Sequence, residues 1–200
     1  MADKTQIANM ALVKLGANRI SAITDGTVEA NRVEAVYDQV RDEALTAGPE
    51  KGWKFAKTSL DISVDATAPA NTKYAYRYAL PNEFLRVVGV WVGGVELTDW
   101  DREGQYLLTN MESAEITLDY IQRITVTGLY PPHFVSVLYM MLAYELAYSV
   151  TAVKGHANAI LEELHAITMP KAIALDARDQ YVQEFSSSWV DAGNNTSTLE

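Results

Sequence analysis

"GPEKGWKFAKTS", residues 48–59, stands where the sequence changes its rhythm. Upstream of it apolar residues recur every three or four positions; downstream they recur nearly every two. A Gly-Pro break is followed by Trp53 and Phe55, with Lys51, Lys54 and Lys57 set among them. Aromatics interleaved with lysines suit a groove for single-stranded nucleic acid. They also suit the start of a half-buried strand, with Trp53 and Phe55 on one side and Lys54 on the other. A stacking platform needs a basic surround, and here Glu50, Asp61 and Asp65 lie close by in sequence. The stretch therefore reads as a strand leaving a helical unit, with Trp53 and Phe55 plugging the junction between helices and strands.

Working back toward the N-terminus, two helices are expected. Asp3 and Gln6 have capping-box spacing, Ile7, Ala11 and Leu15 share a face, and Gly16 is a natural stop. Residues 28–46 form a second helix capped by Thr27. Its apolar stripe is Val33, Val36, Tyr37, Val40 and Ala44, with Glu29, Glu34, Asp38, Arg41 and Asp42 mostly off it. Working forward, residues 53 to about 127 read as strands. Gly93-Gly94 between apolar runs is a two-residue hairpin signal, "QYLLT" and "EITLDYIQRITV" are further strands, and "DATAPANT" (65–72) and "TNMESA" (109–114) are loops.

Helix returns after Pro131-Pro132 and runs to about Lys154, where Gly155 should break it. A last helix is expected over 156–186. Its stripe is Ile160, Leu164, Ile167, Lys171, Ala174, Arg178, Tyr181 and Phe185, and Pro170 should kink it. The order predicts a mainly α protein with a β insertion (α+β). Residues 1–50 and 131–185 form a four-helix bundle, a β-rich lobe over 51–130 sits between its second and third helices, and 186–200 is a flexible polar tail.

Charge narrows the function. Sixteen Lys and Arg face twenty-six Asp and Glu, for a formal net charge of −10. Residues 131–200 hold three basic and eight acidic residues, so residues 1–130 hold 16 − 3 = 13 and 26 − 8 = 18, and each part nets −5. This argues against sequence-independent nucleic-acid binding and against an anionic membrane surface. There is no cysteine, so disulfides and thiolate chemistry are excluded. "MADKTQIANM" lacks the apolar run of a signal peptide. "FVSVLYMMLAYELAYSVTAV", 134–153, is long enough to span a bilayer, but it holds Ser136, Ser149, Thr151 and three tyrosines and lacks a basic flank; it reads as a buried helix.

Catalytic motifs are missing: no Walker loop, no G-x-G-x-x-G, no H-E-x-x-H, no G-x-S-x-G. His133, His156 and His165 read as solvated or locally hydrogen-bonded. "DWDREG", 99–104, mimics the opening of a calcium loop, but its twelfth position is Asn110 and its flanks read as strands, so it reads as a charged turn. No metal or cofactor is expected. Glu145, inside an apolar helix, is the one acid whose setting looks perturbed. It is read as a buried acid or, preferably, as the partner of a basic residue across an interface.

The succession "QIANMALVKLGANRISAI", "VRDEALTAGPEKGWKFA", "YRYALPNEFLRVVGV", "LAYELAYSVT" and "ALDARDQY" resembles the head–tail adaptors of tailed bacteriophages, called tail tubular protein A in short-tailed phages. G-W-x-F-A after a helix and Y-x-Y-x-L-P-x-x-F-L-R are the most specific parts, and the resemblance covers about residues 5–185. It implies a non-enzymatic virion part, made in the host cytoplasm and placed in the phage neck. Copies would form a ring, commonly dodecameric, joining the portal protein to the next tail component (a nozzle or tube protein), and DNA would pass through unread. Subunit contacts would involve Tyr144, Glu145 and Tyr148. The C-terminal segment would reach the portal through Phe185, Trp189 and Val190.

Two other readings remain. In one, Glu145 with Tyr139, Tyr144 and Tyr148 lines a ligand or catalytic pocket within the bundle. In the other, residues 51–57 bind single-stranded nucleic acid.

Overall fold

The computed structural model describes residues 2–112, 115–151 and 154–178. The class is mixed α+β with two antiparallel sheets. Helices α1 (Lys4–Lys14) and α2 (Val28–Thr46) come first. Strands β1 (Lys57–Ser63), β2 (Tyr76–Ala79), β3 (Phe84–Val92), β4 (Val95–Glu96), β5 (Trp100–Glu103), β6 (Tyr106–Thr109) and β7 (Glu115–Gln122) follow. Helices α3 (Pro132–Thr151), α4 (Lys154–Glu163) and α5 (Met169–Arg178) close the described chain.

Local chemistry sets the first helix boundaries. The Asp3 carboxylate accepts from the Gln6 N–H at 2.7 Å, and the Gln6 side chain accepts from the Asp3 N–H at 3.0 Å, a reciprocal capping box. At the other end Ala17 N–H bonds Leu12 C=O and Gly16 N–H bonds Val13 C=O. This Schellman closure needs a left-handed residue, and Gly16 supplies it at φ +71°. Thr27 caps α2 through the Ala30 N–H.

One sheet has the order β1-β7-β3-β4 and the other β2-β6-β5. Gly93 and Gly94 turn β3 into β4 with φ of +57° and +83°, the hand that matches strand twist. Tyr78, Val90, Leu107, Ile116 and Leu118 fill one apolar core drawn from both sheets. A second core belongs to the helices. Within it α3 packs against α1, α2, α4 and α5. That central place accounts for the apolarity of α3, which by length and composition alone could cross a membrane. Ile121 at the end of β7 reaches this helical core, as do Trp53, Ala56 and Tyr130.

Four expectations need correction. Trp53 and Phe55 are not in a strand: Ala56 and Lys57 both donate to the Trp53 carbonyl, closing a turn, and β1 starts only at Lys57. Within "DWDREG", Trp100–Glu103 are β5 itself, and the turn falls after them at Gly104. Charges on this edge strand discourage further pairing. Gly155 lies inside α4, while α3 ends at Thr151; nothing lies within 4 Å of a Cβ there, and one open glycine costs a helix only about 1 kcal/mol.

The last stripe fails after Leu164. Ile167, Lys171, Ala174 and Arg178 are exposed, and Ala172 and Asp176 are buried instead. A π turn over Leu164–Thr168 causes this, with Met169 N–H bonding the Leu164 carbonyl five residues back. Pro170 follows at once. A proline ring presses on the carbonyl four residues earlier, and a widened turn relieves that contact. Tyr181, Phe185, Trp189 and Val190, and the 186–200 tail, lie outside the described residues.

Candidate functional site

The residues around Trp53 form a joint between helices and sheets. Trp53 is fully buried, and its indole N–H donates to the Ala44 carbonyl of α2 at 2.9 Å. Its ring meets Phe134 of α3 edge-on at 5.7 Å, and Phe55 and Tyr130 close on the same phenylalanine at 4.8 and 5.0 Å. Such pairs add about 0.5–1.5 kcal/mol each beyond area burial. Burial pushes the Tyr130 phenol up to about 12; its hydroxyl donates to the Ile124 carbonyl. From the sheet side Arg86 of β3 donates to the carbonyls of Pro49 and Glu50, both at 3.1 Å. Lys51 is exposed, Lys54 donates to the Ala177 carbonyl of α5, and Lys57 pairs with Asp119. Lys54 and Lys57 are thus turned to different partners, and Trp53 has no exposed face for a base.

Charges that the sequence placed outside the core reinforce this joint. Arg41 is buried rather than off the stripe, and is held by Asp38 at 2.9 Å and Asp42 at 2.7 Å. Asp42 also takes Arg123 from beyond β7 at 2.8 Å, and Asp38 takes Lys4 of α1 at 3.2 Å. The chain of ions links both N-terminal helices to the end of the sheet. A buried guanidinium tolerates its place only when paired in this way.

The histidines divide. His156 and His165 are exposed. The His133 side chain is 8% exposed, and its Nε2 lies 3.5 Å from an Asp176 oxygen while making no hydrogen bond. Asp176 accepts from the Lys54 N–H at 3.2 Å. The buried acid is therefore Asp176 and not Glu145, which is exposed. The two partners of this pair are 43 residues apart, so no local spacing announced them.

Tyr144 and Glu145 border a cleft of about 230 Å³ between α2, α3 and the π turn, with Glu43 at its edge and Val40, Met141 and Leu164 in its walls. Tyr148 is 63% exposed and does not line it; Tyr139 lines a separate small hollow with His133 and Lys171. The tyrosines expected around one pocket are therefore not gathered there. A larger open groove of about 740 Å³ lies at the other end of α3, walled by Met10, Phe55, Leu129, Tyr130, Pro132 and Val135. Among the described residues no group of three or more His, Asp or Glu is placed to hold a metal ion. Phe185, Trp189 and Val190, the residues expected at the portal, are outside the described residues. No protein-family model matches this chain, and no curated protein matches it.

Proposed function

We propose that this protein is a structural head–tail adaptor of a tailed bacteriophage. Copies form a ring beneath the portal protein, and the ring joins the portal to the next tail component and leaves a channel for DNA. In this reading the helices are a bundle that builds the ring, and the β lobe inserted between α2 and α3 faces the tail. The protein carries no catalytic function and works in the virion neck after synthesis in the host cytoplasm.

One observation carries the reading most. The two most specific stretches of the resemblance, G-W-x-F-A and Y-x-Y-x-L-P-x-x-F-L-R, meet in space. The first wedges Trp53 between α2 and α3, and the second places Tyr78, Leu80 and Phe84 in the β core while Arg86 grips the carbonyls just before Trp53. Together they make a stiff joint, which suits a part that transmits position between two assemblies. The ligand-pocket alternative has less support, because the cleft at Glu145 is smaller than the roughly 300 Å³ of ordinary small-molecule sites.

Negative-stain microscopy of the protein mixed with portal rings tests the proposal. Added density with the symmetry of the ring is expected, and bare rings at saturating protein would refute it. Removal of residues 186–200 should leave thermal stability nearly unchanged and weaken attachment, with Trp189→Ala giving part of the same loss. Equal binding by the truncated chain would dismiss the anchoring role of Trp189.

A further inference from the structure

Two surfaces of the helical unit face away from each other across α3. A helix turns about 100° per residue, so Pro132, Val135 and Ser136 centre roughly 180° from Met141, Tyr144 and Glu145. The first surface is apolar. It comprises the groove beside Leu129, which is 59% exposed, and continues over Met10 and Val13 of α1, 41% and 58% exposed. Arg19 stands at its margin beside Met10 and Val13, exposed and with no hydrogen bond or ion pair among the described residues. The second surface carries the carboxylates of Glu43 and Glu145 over the smaller cleft, and neither has an ion-pair partner among the described residues. Beside them Tyr144 and Tyr148 project, 38% and 63% exposed.

We infer that these surfaces are the two halves of a single head-to-tail contact between copies of this chain: the neighbour's Arg19 meets Glu43 and Glu145 of one copy, whose Tyr148 enters the neighbour's apolar groove. The inference rests on the ring reading above and assigns the faces that build the ring. Charge decides its sense. A two-fold contact would set either face against itself, so that the Arg19 side meets only a second Arg19 side, or the carboxylate side a second carboxylate side. Like charges brought together in this way are strongly unfavourable. The head-to-tail contact pairs opposite charges and seats an aromatic with a polar tip in a groove whose floor is Tyr130, Pro132 and Val135. A contact whose halves sit on opposite sides of a subunit repeats from copy to copy and closes into a ring when its rotation allows.

The chain has no cysteine, so introduced pairs report cleanly. Asn18→Cys and Ser149→Cys proteins, both changed at exposed positions that leave Arg19, Glu43 and Glu145 in place and checked for native circular dichroism, are mixed under a mild oxidant. The mixed disulfide dimer should form at least about tenfold faster than either homodimer, and the double variant should yield a ladder of higher species. Equal rates for all three pairs, or no pairing at all, would overturn the contact. Portal attachment by the wild-type chain is scored separately. Mixed pairing without attachment keeps the contact and removes the adaptor role; attachment without mixed pairing removes the contact and leaves the adaptor role standing.

Discussion

Replacing Trp53 by alanine should unfold the joint more than any other single truncation in the 48–59 stretch. The indole is 0% exposed. A buried tryptophan removes roughly 150–250 Å² from water. At about 25 cal/mol per Å², and allowing for what alanine retains, that is about 4 kcal/mol. The lost bond to the Ala44 carbonyl adds about 1 kcal/mol, and partial collapse of the cavity returns some of it. A net loss of about 3–5 kcal/mol is expected, measured by urea denaturation at unchanged slope. Trp53→Phe keeps most of the area and drops only the donor, so it should lose about 1–2 kcal/mol. Gly48 gives an internal control. A Cβ there would stand 2.3 Å from the indole nitrogen, so Gly48→Ala should destabilise the wild type by about 1–3 kcal/mol. In the Trp53→Ala background that obstacle is gone, and the same change should be nearly neutral. A Trp53→Ala loss below about 1 kcal/mol, or strict additivity with Gly48→Ala, would refute the packing argument.

Three further outcomes are expected. Asp25 accepts from the hydroxyl and N–H of Thr27 and from those of Ser21, and these bonds, Thr27 first, hold its carboxyl well below its ordinary value of 3.8 against an opposing effect of desolvation. Its contribution to the loop between α1 and α2 is therefore complete above pH 3.8 and lost only as pH falls through the lowered folded value; Thr27 and Ser21 amide shifts that move at the usual carboxylate midpoint would contradict this. Gly52 combines φ +75° with an added Cβ 1.9 Å from the Ile121 side chain, whereas Gly93 has φ +57° and nothing within 4 Å; Gly93→Ala should lose about 1–2 kcal/mol from backbone strain alone, Gly52→Ala clearly more, and equal melting temperatures would tell against it. With a net charge of −10 and the lysines of 51–57 separated, no stable complex with single- or double-stranded DNA should form at physiological salt, and sub-micromolar, steeply salt-dependent filter binding would reverse that expectation.

What could be read from the sequence was local, and what could not was set at a distance. The α1 cap follows from two residues three apart, and the Gly93-Gly94 hairpin from two neighbours between apolar runs. The strand assigned to Trp53 and Phe55 failed because alternation over three residues does not distinguish a strand from a tight turn; the bonds to the Trp53 carbonyl decide it. Arg41 was placed outside because hydropathy alone sorted the faces of α2, although Asp38 and Asp42 were there to neutralise it. Glu145 looked buried because α3 is apolar almost all round, yet its side of the helix is open. The His133–Asp176 pair needed the fold, since a turn of α3 and the C-terminal half of the last helical segment meet only after both have packed.

The π turn before Pro170 has the form of one surplus residue held inside a helix. In an unbroken α-helix the positions of Ile160 and Asp176 would differ by roughly 160° in azimuth. The wider turn takes back most of that difference, so α4 and α5 turn Ile160, Leu164, Ala172 and Asp176 all inward. Deleting a single residue among 164–168 would remove the surplus and leave α5 nearly in phase as a plain α-helix, whereas adding one would swing everything after it by about 100°. After an addition Asp176 would leave His133 and the Lys54 amide; after a deletion the Pro170 ring would press on the regular turn before it. This segment therefore fixes the phase of α5, and an added residue is tolerated less well here than a lost one, while substitutions at exposed His165 or Ile167 leave the phase alone.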